Sequence, residues 1–228
     1  MNPNLVTLTI GQSPRTDILP MLLKHLPEEQ IAHAGLLDGL IRQQIEQEFG
    51  AQDGDKILVS RLNDGSQVLL ASDKVERGLQ KSILQLEDRG FATILLLCTG
   101  EFGHLYANRA MLLEPDRIVP PLIAAIVGDR QVGVMVPVAG QTVEQASKWK
   151  DMSRPPCYAV ASPYQASEGA LLDAALSLQD QGADVVVLDC IGYHQKHQDL
   201  LQKILGIPIL LPNVIVAKLA AELLVDAS

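Results

Sequence analysis

Two stretches of the chain repeat one pattern: "GFATILLLCTGEF" (90–102) and "GADVVVLDCIGYH" (182–194). Each begins at a glycine, runs through apolar residues with little alternation, and ends on a cysteine. A glycine follows two positions later, Gly100 after Cys98 and Gly192 after Cys190. An apolar run of this kind is the mark of a parallel strand buried on both faces. Parallel strands need long crossovers, so the rest of the chain must supply helices to cover them.

The remaining sequence has that rhythm. Apolar runs at 5–10, 31–37, 131–138, 156–161 and 207–211 join the two above as strand candidates. Between them lie segments of helical periodicity: "TDILPMLLKHL" (16–26), "GLIRQQIEQEF" (39–49), "SDKVERGLQKSILQLEDRG" (72–90), "QTVEQASKWK" (141–150), "SEGALLDAALSLQDQG" (167–182), "HQKHQDLLQKILG" (194–206) and "NVIVAKLAAELLV" (213–225). The exception is "KILVSRLNDGSQVLL" (56–70), where Asn63-Asp64-Gly65 predicts a hairpin turn. "EPDRIVPPLIAAIVGD" (114–129) reads as a bridge whose last two prolines precede an apolar helix. The expected fold class is therefore α/β. Two pseudo-equivalent lobes, each a parallel sheet flanked by helices, enclose an inter-lobe cleft. Residues 1–115 with the C-terminal helix 213–228 form the first lobe, and 116–212 the second.

Composition narrows the function. The net charge is −9 with no basic stripe, which speaks against nucleic acid and anionic membrane surfaces as main partners. A small anionic ligand such as a carboxylate would need a local positive pocket. No apolar stretch reaches the ~18 residues of a membrane span, and "MNPNLVTLTI" carries no secretory pattern. Three widely spaced cysteines make neither a disulfide framework nor a zinc site. A cytoplasmic protein with reduced thiols and no metal is the expectation, with a homodimer left open.

A cysteine at a strand end is either a small core hydrophobe or a titratable thiol. A matched pair brought to the carboxyl edge of two sheets, where α/β folds bind ligands, suits proton transfer at an activated carbon without a cofactor. One thiolate removes a proton and the opposed thiol returns one from the other face. Cys157 has no counterpart and reads as core. In "TIGQSPRTD" (9–17), Gln12, Ser13 and Arg15 crowd a turn at the same edge. They form either an anion site at a helix start, with Arg15 gripping a carboxylate, or ordinary capping with a solvated arginine. Thr99, Gly100, Gly192 and His194 complete the candidate binding set, His194 and His197 standing three apart. Asp189 suits a ligand ammonium or a structural bond. The glycine-punctuated "TGEFGHLYANRAMLLEP" (99–115), with Glu101, His104, Tyr106, Asn108 and Arg109, reads as a mobile loop over the cleft.

"TIGQSPRTD", "DKVERGLQ", "LEPDRIVPPLIAAIV", "VGVMVPV", "QGADVVVLDCIGYHQKHQDLLQK" and "LPNVIVAKLAAELL" together resemble the AroM family over essentially the whole chain. That family is grouped with the aspartate/glutamate racemase superfamily, which includes hydantoin racemases, maleate isomerases and arylmalonate decarboxylases. The resemblance implies two lobes related by a pseudo-twofold, with the active site between them. It implies one cysteine from each lobe, Cys98 and Cys190, working without cofactor, and a substrate-anchoring loop at Gln12–Arg15. This chain departs from the superfamily's motifs. Cys98-Thr99-Gly100 replaces Cys-Asn-Thr/Ser, and Asp189-Cys190-Ile191 replaces Gly-Cys-Thr. The expected function is a racemase- or isomerase-like enzyme acting on a small carboxylate or amino acid. The alternatives are a single-thiol lyase or decarboxylase using Cys190, or a non-catalytic anion binder linked to aromatic metabolism.

Overall fold

The computed structural model describes residues 4–141 and 145–224, with the side chains of Gln145 and Ala146 left aside. Ten strands and eight helices follow one another as β1 (Leu5–Thr9), α1 (Leu19–Leu22), β2 (Ile31–Gly35), α2 (Arg42–Phe49), β3 (Ile57–Arg61), β4 (Gln67–Ala71), α3 (Ser72–Asp88), β5 (Thr93–Leu97), β6 (Met111–Leu113), α4 (Pro115–Val127), β7 (Val132–Val136), α5 (Gln145–Lys148), β8 (Cys157–Val160), α6 (Glu168–Asp180), β9 (Val185–Leu188), α7 (Gln195–Leu205), β10 (Ile209–Leu210) and α8 (Pro212–Ala221), counted among the described residues.

Two four-stranded sheets form, ordered β2-β1-β5-β6 and β10-β9-β7-β8, and every pairing within them is parallel. The orders are the same path: β1 corresponds to β7, β2 to β8, β5 to β9 and β6 to β10. In each sheet the chain direction of travel reverses between the two central strands. The carboxyl ends of β1 and β5, and of β7 and β9, are therefore the switch points where such sheets open a crevice. The fold is α/β with two parallel sheets flanked by helices, as the apolar runs predict.

Side-chain alternation divides the first sheet between two apolar clusters. Val6, Leu8, Ile94 and Leu96 pack with Val75, Leu79 and Ile83 of α3 and Ile45 of α2. Leu5, Leu95 and Leu97 face the other way and join Met21, Val119, Ile123 and Val216. That second cluster continues without a break into Val132, Val134, Val186 and Val187 of the other sheet. Helix α8 rests on α1, α4 and β5.

Four expectations change. The helix expected over 16–26 is a single α turn at Leu19–Leu22, continued by irregular turns through Leu26. Pro20 at its start and the lack of any capping side chain favour a short element. Helix α4 begins at Pro115 and carries Pro120 and Pro121 inside it rather than starting after them. The two lost amide donors are tolerated where Val119, Pro120 and Ile123 are buried in the core. Strand β6 lies in a segment expected to be loop, and the mobile loop before it is tied down. Glu76 accepts from His104 N, Gln80 from Tyr106 N, and Glu87 from the amides of Asn108, Arg109 and Ala110. Those three amides, Asn108 first, hold the Glu87 carboxyl down at about 2. Cys98 is consequently followed by a pinned loop and a strand, not by a helix. The hairpin is present as expected, β3 pairing antiparallel with β4 from Ile57↔Ala71 to Arg61↔Gln67.

Candidate active site

Cys98 follows β5 and Cys190 follows β9, the equivalent strands of the two sheets, and both are buried. They line one cavity of about 20 Å³, together with Arg15, Val59, Pro137 and Ile191. A second hollow of about 30 Å³ adjoins it, lined by Lys56, Glu101 and Lys148. Leu58, Thr99, Gly100, Gln141 and Asp189 border both, so the two are halves of one cleft. The cysteine half has room for a water molecule and little more.

The roof of this cleft is the hairpin. Leu58 and Val59 of β3 close the cysteine cavity. The second lobe reaches the hairpin twice, through Gln141 Nε2 to Ile57 O at 3.0 Å and Ser162 Oγ to Gln67 Oε1 at 2.7 Å. Gly100 makes this closure possible: a Cβ there would stand 2.5 Å from Leu58 Cδ2 and 3.3 Å from Cys98 Sγ.

Each thiol is faced by a buried cation from the opposite lobe. Arg15, in the loop after β1, has Nε and Nη2 on the carboxylate of Asp17 at 2.9 and 2.7 Å. Its Nη2 also donates to the hydroxyl of Tyr164, a second-lobe residue, at 3.0 Å. That hydroxyl lies 3.8 Å from Cys190 Sγ. Lys148, in α5 after β7, puts Nζ 2.7 Å from both carboxylate oxygens of Asp189 and 2.5 Å from Thr99 O in the first lobe. Thr99 Oγ1 donates to Asp189 O at 3.2 Å, closing the link between the lobes. Each cation thus comes from the segment that follows one of the equivalent strands β1 and β7.

The thiols differ in their surroundings. Burial pushes Cys98 up to about 12, against the amide of Gly100, which donates to its sulfur at 3.3 Å, and the charge of Lys148. Burial raises Cys190 too, but the amide of Gly192, the Tyr164 hydroxyl and the charge of Arg15 act in the opposite sense. The charge of Cys190 also bears on two neighbours in the cleft, Cys98 and Tyr164.

Gln12 and Ser13 do not join this cavity. Gln12 Nε2 donates to Leu40 O at 3.1 Å and its Oε1 accepts from Asn63 N, while Ser13 donates through N and Oγ to Asp38. They lash the β1 loop to the β2 loop and to the hairpin turn. The helix start expected behind them is absent from this turn, since α1 opens only at Leu19. His194 also lies elsewhere. It precedes α7, stacks on His197 at 3.7 Å between ring centroids, and lines a separate surface hollow with Ser167 and Glu168. Gly192 does sit at the site, where a Cβ would meet the Tyr164 ring and hydroxyl within 2.4 Å. Cys157 is half-buried against Val132 O and Leu178 O. Glu101 is ion-paired to Lys56 at 3.3 Å, so every cation lining the cleft already has a carboxylate partner.

Lys148 and Tyr164 were not singled out by sequence reading. Lys148 stands in a segment of ordinary amphipathic helix, and Tyr164 in a polar turn. The topology is the signal that leads to Lys148, which follows β7, the counterpart of the strand that Arg15 follows.

Asp116, in the first turn of α4, carries a buried carboxyl oxygen with no hydrogen-bond partner among the described residues. Burial raises its titration to about 6, with Lys148 opposing and Glu101 adding to the rise. A folded value above the unfolded one means that the folded state holds the extra proton between the two. Stability then falls as pH climbs through that window. Asp116→Asn is expected to raise the unfolding free energy from urea denaturation by about 1–2 kcal/mol at about pH 7 and leave it unchanged at about pH 3. An equal gain at both pH values would show that the carboxyl's charge is not the cause.

The AroM protein family matches residues 5–224. The chain belongs to the AroM family. No curated protein matches this AroM chain by sequence. Among solved structures it is similar to a glutamate racemase from Francisella tularensis in complex with D-glutamate, with a TM-score of 0.64 at 13% identity, covering 100% of this chain and 85% of that one. It is similar to an unliganded arylmalonate decarboxylase, with a TM-score of 0.60 at 12% identity, covering 100% and 94%. A maleate isomerase from Pseudomonas putida has a TM-score of 0.59 at 13% identity, covering 96% and 91%. At these identities the likeness establishes that the AroM chain shares their fold. No described helix of it is long and apolar enough to cross a membrane.

Proposed function

We propose that this AroM-family chain is a racemase- or isomerase-like enzyme that moves a proton at the carbon next to a small substrate's carboxylate. Cys98 and Cys190 are the proton carriers. The single observation that carries the reading is that both thiols, from equivalent strands of opposite lobes, line one buried cavity. In the reaction, the thiolate takes the α-proton to form an S–H bond and leaves an enediolate. The opposed thiol gives its proton to the other face of that carbon and becomes the thiolate. One proton leaves and one returns, so the two sulfurs exchange protonation states. Arg15 anchors the carboxylate through Nη1, which makes no hydrogen bond among the described residues.

A second reading has its own observation. Burial raises both thiols, but Cys190 has a side-chain hydroxyl, that of Tyr164, beside its sulfur, and Cys98 has no side-chain donor among the described residues. A lyase that protonates a decarboxylated enolate needs only one such thiol. Incubation with a panel of small amino and carboxylic acids in D2O tests the proposal. Deuterium at the α-carbon of recovered substrate is expected. No incorporation across the panel, with ligand-induced thermal stabilisation intact, would overturn it in favour of a non-catalytic binder.

A further inference from the structure

We infer that Tyr164, held by Arg15, is a positioning residue whose hydrogen bond favours the thiolate form of Cys190, so that Cys190 begins the reaction as base and Cys98 as acid. The inference rests on the reading of the cleft as a proton-transfer site and goes beyond it by assigning each thiol its starting state.

The direction of the hydrogen-bond chain decides the point. A guanidinium has donors only, so Arg15 Nη2 must donate to the Tyr164 oxygen, 3.0 Å away. The phenol's own hydrogen then needs an acceptor in a buried site, where leaving it unpaired is costly. Among the described residues the one within reach is Cys190 Sγ, at 3.8 Å. The chain thus runs from Arg15 through Tyr164 to Cys190, delivering a hydrogen bond to the sulfur, and donation of this kind favours the charged form. Asp17 fixes the other edge of the guanidinium with two bonds, which sets its plane. Gly192 completes the arrangement, since any side chain there would occupy the place of the Tyr164 ring.

Among the described residues no such chain reaches Cys98. The corresponding cation, Lys148, directs its Nζ at Asp189 and Thr99 O instead. The groups facing Cys98 are the Gly100 amide, Lys148, Cys190 and the Asp116 carboxyl, the last two disfavouring a second negative charge. Asp189 acts against a charged Cys190 in the same way, but Lys148 is bonded to it. Two pseudo-equivalent lobes therefore present two inequivalent thiols.

The test uses the full chain with one thiol at a time. In a Cys98→Ser, Cys157→Ser background, the thiolate absorbance of Cys190 is followed against pH, with and without Tyr164→Phe. The midpoint is expected to rise by about one to two pH units. In the companion background, Cys157→Ser with Cys190→Ser, the same substitution is expected to leave Cys98 unmoved. An unchanged Cys190 midpoint, or equal shifts of both thiols, would overturn the assignment. Gly192→Ala, which displaces the ring and retains the hydroxyl, is expected to raise the Cys190 midpoint as well. It serves in place of Tyr164→Phe if that chain fails to fold. The titration needs no turnover, so it reads the assignment separately from deuterium exchange, which alone decides whether the site is an enzyme's.

Discussion

Lys148→Met is expected to cost the fold about 3–5 kcal/mol, read as a fall in the denaturant midpoint. The side chains of Lys148 and Asp189 are only 4% and 2% exposed, and both carboxylate oxygens of Asp189 rely on Nζ among the described residues. Methionine matches the lysine's length without its charge, so the loss reports the stranded carboxylate rather than a cavity. Thr99 O loses a donor in the same step. With total stabilities of about 5–15 kcal/mol for a domain, such a loss brings the chain close to unfolding. Adding Asp189→Leu is expected to restore most of the stability, because removing both members of a buried pair costs far less than removing one. A single-variant loss below about 1 kcal/mol would place the pair among solvated surface bridges and contradict its burial.

The second large effect concerns the thiols. Cys190→Ser is expected to lower α-deuteration by about 10²–10⁴-fold, the usual contribution of a positioned acid or base. Cys98→Ser separates the chemistries. If both thiols carry protons it falls as far as Cys190→Ser, whereas a lyase relying on Cys190 retains decarboxylation. Both substitutions put a hydroxyl where a sulfur was, so equal thermal midpoints in the two variants are needed before rates are compared. Full exchange activity in Cys190→Ser would remove that thiol from the mechanism.

What could be read from the chain followed burial. Strands such as β5, β7 and β9 are apolar on both faces because helices cover both sides, and such runs are legible one residue after another. The matched cysteines were legible for the same reason, each marking where a buried run meets the sheet edge. Strand β6 was not, because three residues between a polar loop and a proline carry no period. The helix drawn over 16–26 had the right periodicity, yet the segment is anchored instead by Arg15 and by Leu22 and Leu26 in the core. Gln12 and Ser13 looked like ligand donors in isolation. Their partners, Leu40, Asn63 and Asp38, come from segments that only the tertiary fold brings near. His194 follows Cys190 closely in sequence, but the intervening turn carries it to the other side of the α7 start, against His197. Lys148 and Tyr164 are polar residues made significant by what lies across the cleft, which no local pattern encodes.

The hairpin roof has a kinetic consequence. With Leu58 and Val59 closing a space of about 20 Å³, anything larger than water must wait for the roof to part, once on arrival and again on departure. The waiting time belongs to the protein, set by contacts such as Gln141 to Ile57 and Ser162 to Gln67 rather than by the ligand's own bonds. A barrier shared by both directions slows association and release together and leaves the equilibrium affinity where it was. Residence in the cleft is thus governed by a strand pair that carries neither sulfur.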